Sequence, residues 1–440
     1  MEKTFFIRTY GCQMNFSEAE RLHQLLKISG WKEAESPERA AALIVIGCSI
    51  RQKAESRVIS FLKSNKYLKT NGTIFCLAGC TANLHREKIL KQLPYLDVVC
   101  GPNHIAKIPE ILNSYTSGKI VIETGENDLP FIQCIPSGKN IAMMVPITKG
   151  CNNFCSYCVV PFARGKLQSR QPGSIIEEIK IAVENGVRSV TLLGQNVNEY
   201  GCDFQRSYDF SDLLCDILKI DGLLRIEFVS SHPEDTTIKL LRVMSENPKI
   251  ARHLHIPLQS GSNKILKTMN RKYTVEKFLQ VVEIARTMIP DISITSDIMV
   301  GFPGETEEDF KQTYNLVKEL RFNELFIFKY SPRPMTKAYN FPDIVEKEEK
   351  QRRHKILLET QKQISNEILS EFTGKECDTL VERRSVKDPL LLIGKNIQGI
   401  PAGFKSQKDL TGKIVRIKIL GHSEGILYGK INEEHLLQQD

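Results

Sequence analysis

Apolar residues recur along this chain in short unbroken runs, separated by stretches with helical periodicity. The runs "TFFIRTY" (4–10), "AALIVIG" (41–47), "GTIFCLAG" (72–79) and "YLDVVCG" (95–101) predict short buried strands. Between them, Ser17 and Glu20 in "SEAE" predict a capping box that opens a helix over "RLHQLLKISG", and "RQKAESRVISFLKSNKYLK" predicts another. Strand and helix alternating in this way predict a doubly wound α/β domain over residues 1–120, a parallel sheet with helices on both faces. The polar stretch 124–140, with its Gly and Pro, predicts a linker.

The alternation then resumes at a longer repeat. "AMMVPITKG", "RSVTLLGQN", "LLRIEFVSS", "HLHIPLQSGS", "DISITSDIMVGFPGE" and "ELFIFKYSPRP" predict six strands of a partial (β/α) barrel over 137–370. Each run ends in polar, Gly or Pro residues, at the end where such a barrel builds its active site. Residues 345–371 predict one charged helix. Beyond it, over 371–440, short β-patterned runs with Gly-rich turns predict a small OB-like β-barrel. Residues 372–430 hold 11 Lys and Arg against 6 Asp and Glu, which suits contact with an RNA backbone.

Composition narrows the class. A chain of 440 residues accommodates two to three domains, and 41% hydrophobic with 25% charged residues is the balance of a soluble globular protein rather than a disordered one. No apolar run approaches the length of a membrane span, and the start "MEKTFFIRTYGC" lacks the pattern of a signal peptide, so a cytoplasmic protein is expected. The net charge of +8 permits a nucleic-acid partner without requiring one. In that compartment twelve cysteines argue for metal or catalytic work rather than disulfides.

The stretch "KGCNNFCSYCVVP" carries Cys151, Cys155 and Cys158 in a C-x3-C-x2-C spacing at the end of the first barrel strand. A sealed structural zinc site wants four ligands. Three thiolates instead suit a 4Fe-4S cluster with one iron left open for a substrate. A purely electron-transferring cluster, or zinc completed by a distant ligand, is the alternative. Cys12, Cys48 and Cys80 each follow a predicted strand of the first domain, and the carboxyl ends of neighbouring parallel strands converge on one crevice. A second three-thiolate site there would hold another open iron, with sulfur its natural cargo. The alternative is three buried inert thiols, which suits Cys76, Cys100, Cys134, Cys202, Cys215 and Cys377 better.

Several segments together resemble a known family. "YGCQMNFSEAE" (10–20), "GCSIRQKAESR" (47–57), "CNNFCSYCVVPFARGKLQSR" (151–170), "LLGQNVNEYG" (192–201), "SSHP" (230–233), "HIPLQSGSNKILKTMNR" (255–271), "SDIMVGFPGETEEDF" (296–310) and "SPRP" (331–334) resemble the radical S-adenosylmethionine methylthiotransferases. The resemblance spans nearly the whole chain and implies a C-terminal TRAM-type RNA-binding barrel. It also implies that Cys151, Cys155 and Cys158 ligate a radical-generating 4Fe-4S cluster that binds S-adenosylmethionine. Cys12, Cys48 and Cys80 are implied ligands of an auxiliary 4Fe-4S cluster. The implied reaction is methylthiolation of carbon 2 of N(6)-dimethylallyladenosine beside the tRNA anticodon. It would consume two S-adenosylmethionine molecules and need a low-potential electron donor, of flavodoxin or ferredoxin type, and a sulfur source. Rival readings are methylthiolation of threonylcarbamoyladenosine in tRNA, a relative acting on a ribosomal-protein aspartate, and a non-catalytic iron-sulfur RNA-binding factor.

At the barrel ends Gln195, Asn196, Ser231, His232, Gln259, Ser260 and Asp297 are placed to line the S-adenosylmethionine pocket. Arg164 and Arg170 are placed to meet phosphate or carboxylate, or to be solvated, and Gly301 and Gly304 to let a loop turn over the cofactor. Two departures from the family pattern stand out. Ile46-Gly47-Cys48 replaces the common Asn-Thr-Cys, and Met335 and Lys337 replace the Gly and Pro that usually follow "SPRP".

Overall fold

The computed structural model describes residues 2–50, 52–125, 131–133, 140–342 and 344–431, so most of the expected linker lies outside the described residues. The first unit is a sheet of six parallel strands: β1 (Thr4–Thr9), β2 (Lys32–Glu33), β3 (Ala42–Gly47), β4 (Ile74–Gly79), β5 (Val98–Cys100) and β6 (Val121–Glu123). Their order is β2-β1-β3-β4-β5-β6, so the chain reverses direction across the sheet between β1 and β3. At such a switch point the strand ends part to leave a crevice. β3 shows why its sequence is unbroken apolar: Ile44 and Ile46 pack into one core with Phe5 and Leu22, while Leu43 and Val45 pack into another with Phe75 and Leu77.

The helix α1 (Gln13–Ile28) corrects the capping-box reading. It begins at Gln13 with Cys12 at its N-cap, where Asn15 and Phe16 donate to the Cys12 carbonyl. Ser17 is therefore a full turn inside. It is buried, accepts from Arg21 Nε at 3.3 Å and donates to the Met144 carbonyl at 3.3 Å. A polar residue was required there by the neighbouring domain, not by the helix end.

The central unit contains β7 (Ala142–Pro146), the paired clip β8 (Thr148–Lys149) and β9 (Gln168–Ser169), then β10 (Ser189–Leu193), β11 (Arg225–Phe228), β12 (His253–His255), β13 (Ser293–Val300) and β14 (Glu324–Lys329). Strands β7-β10-β11 and β12-β13-β14 form two parallel sheets, in orders β11-β10-β7 and β12-β13-β14, linked by a bridge between Ile226 and Ile250. One core runs through both halves, which makes this arc the expected partial barrel. Its last element, the helix Lys347–Ser370, is tied on by Arg353, which donates to Glu305 Oε2 at 2.8 Å. Among the described residues no helix is long and apolar enough to cross a membrane.

The C-terminal unit is a closed barrel of β15 (Glu376–Arg384), β16 (Leu391–Asn396), β17 (Pro401–Lys405), β18 (Ile414–Ser423) and β19 (Ile426–Ile431). Strand β17 was not predicted, because only Ala402 and Phe404 of its five residues point into the core. The barrel docks on the amino ends of the central strands, opposite the cysteines. Arg225 donates to the Asn396 carbonyl at 2.6 Å, Arg252 N to the Ile397 carbonyl at 2.7 Å, and Lys395 Nζ reaches Glu227 at 2.8 Å. Lys395 is thus not RNA-facing surface, whereas Arg383, Lys387, Lys405, Lys408, Lys413 and Lys418 are exposed.

The N-terminal and central units keep separate hydrophobic cores and meet through buried polar groups of α1. Arg21 Nη1 pairs with Glu178 at 2.7 Å, Arg21 Nη2 donates to the Met144 carbonyl at 3.1 Å, and Arg170 pairs with the other Glu178 oxygen. With Arg21 and Glu178 side chains 3% and 1% exposed, losing Glu178 strands the buried charges of Arg21 and Arg170 together. Glu178→Ala is expected to cost about 3–5 kcal/mol in a denaturant titration of the metal-free chain. A loss under 1 kcal/mol would show that the seam is solvated.

Candidate functional site: two thiol triads at the mouths of two sheets

Cys12, Cys48 and Cys80 follow β1, β3 and β4, three adjacent strands at the switch point. The strand ends approach closely enough to dictate glycines. A Cβ on Gly11, whose φ is +128°, would lie 2.2 Å from the Cys48 Cβ. One on Gly47 would lie 2.6 Å from Thr81 Oγ1, which explains why this chain has Gly where its family resemblance leads one to expect Thr. Cys12 donates to Asn15 Oδ1 at 3.4 Å. A hydrogen bond from Cys48 lowers the Cys12 thiol to about 6, and Cys48 is itself pushed far up by that same bond and by burial. Burial raises Cys80 to about 11 against the pull of Arg164. The three thiols are thus electrostatically one site, gathered from residues 68 positions apart (80 − 12).

Cys151, Cys155 and Cys158 lie in the loop that leaves β8 and enters the helix Val160–Arg164. The segment "KTMNR" pins this loop from outside. Ser156 Oγ donates to the Thr268 carbonyl at 2.7 Å, Ser156 N to the Met269 carbonyl at 2.9 Å, and Asn270 Nδ2 to the Phe154 carbonyl at 3.0 Å. Arg271 Nη1 donates to Cys155 Sγ at 3.3 Å. From the other side Ala338 N, just beyond "SPRP", donates to the Ser156 carbonyl at 2.7 Å. The same segment touches the first triad's loop, since Ser331 donates to Gln52 at 2.7 Å and Arg333 to the Ile50 carbonyl at 3.5 Å. Burial raises Cys151, and burial with the neighbouring Cys155 raises Cys158 to about 12. Among the described residues no three such groups close on a single-ion position.

The polar strand ends divide into two sets. At the ends of β10 and β11, Gln195 Oε1, Asn196 Oδ1 and Ser231 Oγ are buried with no hydrogen-bond partner among the described residues, as is Glu199 Oε2 nearby. Asn196 Nδ2 is anchored on Asp235 at 2.7 Å, which fixes the direction of its free oxygen. Buried polar atoms without partners are costly unless a ligand satisfies them, so this set fits a polar cofactor such as S-adenosylmethionine. Gln259, held at φ +69°, and Asp297 are stitched together through backbone hydrogen bonds, and the Asp297 side chain faces His255 Nε2 at 3.5 Å. The second set is structural. His232 Nδ1 accepts from Glu234 N at 3.3 Å and burial holds its ring down at about 3, while Ser260 Oγ accepts from Ser262 N at 3.2 Å. The Gly301 loop does turn tightly, but it packs on the C-terminal helix: Gly301 N donates to Glu305 at 2.6 Å and a Cβ there would strike Lys350.

Arg164 and Arg170 both meet carboxylates, Glu18 and Glu178, and both are buried rather than solvated. The partners Glu18 and Glu178 and the thiol donor Arg271 escaped sequence reasoning, because single charged residues inside helices and loops carry no spacing signal. Burial works against the Arg164 charge, but Cys80, Glu18 and Cys12 outweigh it and hold the guanidinium protonated.

The comparisons agree with this geometry. Residues 145–317 match the Radical SAM superfamily and residues 4–101 match uncharacterized protein family UPF0004. A solved radical S-adenosylmethionine methyltransferase, TsrM from Kitasatospora setae, shares the fold with a TM-score of 0.57 at 12% identity, over 89% of this chain and 81% of that one. Fold and thiol-bearing loop together define a radical S-adenosylmethionine enzyme, a class built around a 4Fe-4S cluster and S-adenosylmethionine. The tRNA-2-methylthio-N(6)-dimethylallyladenosine synthase of Carboxydothermus hydrogenoformans is 40% identical over 97% of this chain and 99% of its own length. That of Aquifex aeolicus is 38% identical over 98% and 99%. The chain belongs to this synthase family.

The Gly47 contact is directly testable. Gly47→Thr, the residue expected from the family pattern, should cost about 1–3 kcal/mol by overpacking against Thr81, and Thr81→Ala should recover most of it in chemical denaturation. If Gly47→Thr alone is neutral, the strand ends are further apart than described.

Proposed function

We propose that this chain transfers a methylthio group to carbon 2 of N(6)-dimethylallyladenosine, on the 3′ side of the tRNA anticodon, giving the 2-methylthio nucleoside. One observation carries the reading. Two thiol triads stand at the mouths of two adjoining parallel sheets, bridged by the "SPRP" segment and by Arg164, in a chain matching synthases of that name end to end. In this reading Cys151, Cys155 and Cys158 hold the radical cluster, and Cys12, Cys48 and Cys80 hold a second, auxiliary 4Fe-4S cluster. When bound, the clusters and S-adenosylmethionine supply the electron, the hydrogen-abstracting radical, the methyl group and the sulfur.

The protein's own part is placement. Gln195, Asn196 and Ser231 turn their unpartnered oxygens on the S-adenosylmethionine molecule, with Gln259 and Asp297 closing the pocket. Arg271 donates to the Cys155 sulfur and steadies the loop that carries it. The buried seam along α1 fixes the span between the triads, so one adenine carbon can lie within reach of both. The exposed lysines of the C-terminal barrel grip the tRNA backbone, an affinity that falls with added salt. A low-potential electron donor, of flavodoxin or ferredoxin type, and a sulfur source complete the partners.

The roles separate by mutation. Replacing Cys151, Cys155 and Cys158 with Ala should abolish reductive cleavage of S-adenosylmethionine. Replacing Cys12, Cys48 and Cys80 with Ala should spare that cleavage while the methylthio product disappears from tRNA nucleoside digests. Normal product from the second variant would sink the two-cluster reading. A methylthio group on threonylcarbamoyladenosine, with none on dimethylallyladenosine, would move the substrate assignment.

A further inference from the structure

Arg164 belongs by sequence to the radical-cluster loop, yet its guanidinium lies in the crevice of the first triad. It is the last residue of the helix Val160–Arg164, six positions beyond Cys158 (164 − 158). Nη1 donates to Glu18 Oε1 at 2.6 Å, and Nη2 donates to Glu18 Oε2 and to Asn15 Oδ1, each at 3.1 Å. Asn15 Oδ1 is also the acceptor for Cys12 Sγ, so one oxygen joins the guanidinium to the first thiol. The residue is 3% exposed. Of its two N–H groups left over, the one on Nε is buried with no acceptor in hydrogen-bonding geometry among the described residues, while the guanidinium bears on the neighbouring Cys80 thiol and draws it down.

A buried cationic N–H without an acceptor is expensive, and with Glu18 and Asn15 engaged by Nη1 and Nη2, the other groups acting on this guanidinium include the Cys80 and Cys12 thiols. The three contacts through Nη1 and Nη2 fix the plane of the guanidinium, so Nε–H is held in place for whatever the triad binds. We propose that Arg164 is a positioning residue that donates its Nε–H to an anionic sulfur atom at the Cys12–Cys48–Cys80 site. The inference rests on the auxiliary cluster proposed above. It makes a residue of the radical domain part of the sulfur-carrying site, so the two sites are joined chemically as well as mechanically. The sulfur is either the cluster's own or that of a bound thiolate at the open iron.

Hydrogen bonds and positive charge at cluster sulfurs raise a cluster's reduction potential. The test therefore uses the full chain with Cys151→Ala, Cys155→Ala and Cys158→Ala, reconstituted with iron and sulfide so that only the auxiliary site is loaded. Its potential is read by EPR-monitored redox titration, with and without added methanethiolate. Arg164→Gln is expected to shift the potential downward, and Glu18→Gln, which leaves the cation unopposed, to shift it upward. Arg164→Lys should restore part of the loss. A residue that only staples two domains would give no such opposed signs. If Arg164→Gln does not fold, the double variant with Glu18→Gln keeps a neutral hydrogen-bonded pair and should still lie below the parent. A shift seen without methanethiolate assigns the cluster's sulfur, and one seen only with it assigns the thiolate. An unchanged potential in both conditions overturns the proposal, whereas failure of any cluster to form overturns the auxiliary-cluster reading instead.

Discussion

The buried polar seam between α1 and the central unit is the constraint on which the architecture turns. Glu18 with Arg164, and Arg21 with Glu178 and Arg170, replace an apolar interface with oriented charges. Such pairs add little net stability, because desolvation consumes most of the Coulombic gain. They do resist sliding. An apolar surface tolerates small displacements, while a bidentate guanidinium loses its hydrogen bonds when shifted by a fraction of its length. A reaction that needs one carbon between two thiol triads is served by the second kind of contact.

Each triad also has its own arginine. Arg271 donates to Cys155, and Arg164 stands beside Cys80 and Cys12. Three thiolates in a low-dielectric crevice would repel one another, and burial first, with neighbouring thiols adding to it, drives Cys80 and Cys158 upward. A fixed cation at each site opposes that penalty and favours the deprotonated thiols that the proposed clusters require. The arginines come from different elements, one following the cluster loop and one from "KTMNR", yet they solve the same problem.

How much of this was legible in the sequence follows from what each residue must satisfy. β3 and β4 read clearly, because strands buried on both faces must be apolar throughout, while the six barrel strands read by their longer repeat and their polar, Gly or Pro ends. The places of the six cysteines in the fold read from the sequence as well, by spacing in one triad and by strand-end position in the other. Lys32–Glu33, Val121–Glu123 and Pro401–Lys405 did not, since edge and barrel strands this short bury too few side chains to leave a run. Ser17 was misread for a deeper reason. A serine three residues before an acid is a good cap, but here its hydroxyl is spent on a carbonyl from a domain that begins more than a hundred residues later. Long-range polar contacts leave no periodic trace, and the seam consists of them.

The central claim, that one rigid seam holds two clusters at a set distance, is tested most directly by EPR of the doubly reconstituted, reduced chain. The account predicts a spin–spin interaction between the clusters, visible as splitting or enhanced relaxation and absent when either triad is replaced by Ala. A wild-type spectrum equal to the sum of the two triple variants' spectra, or one that holds a single cluster, would contradict it.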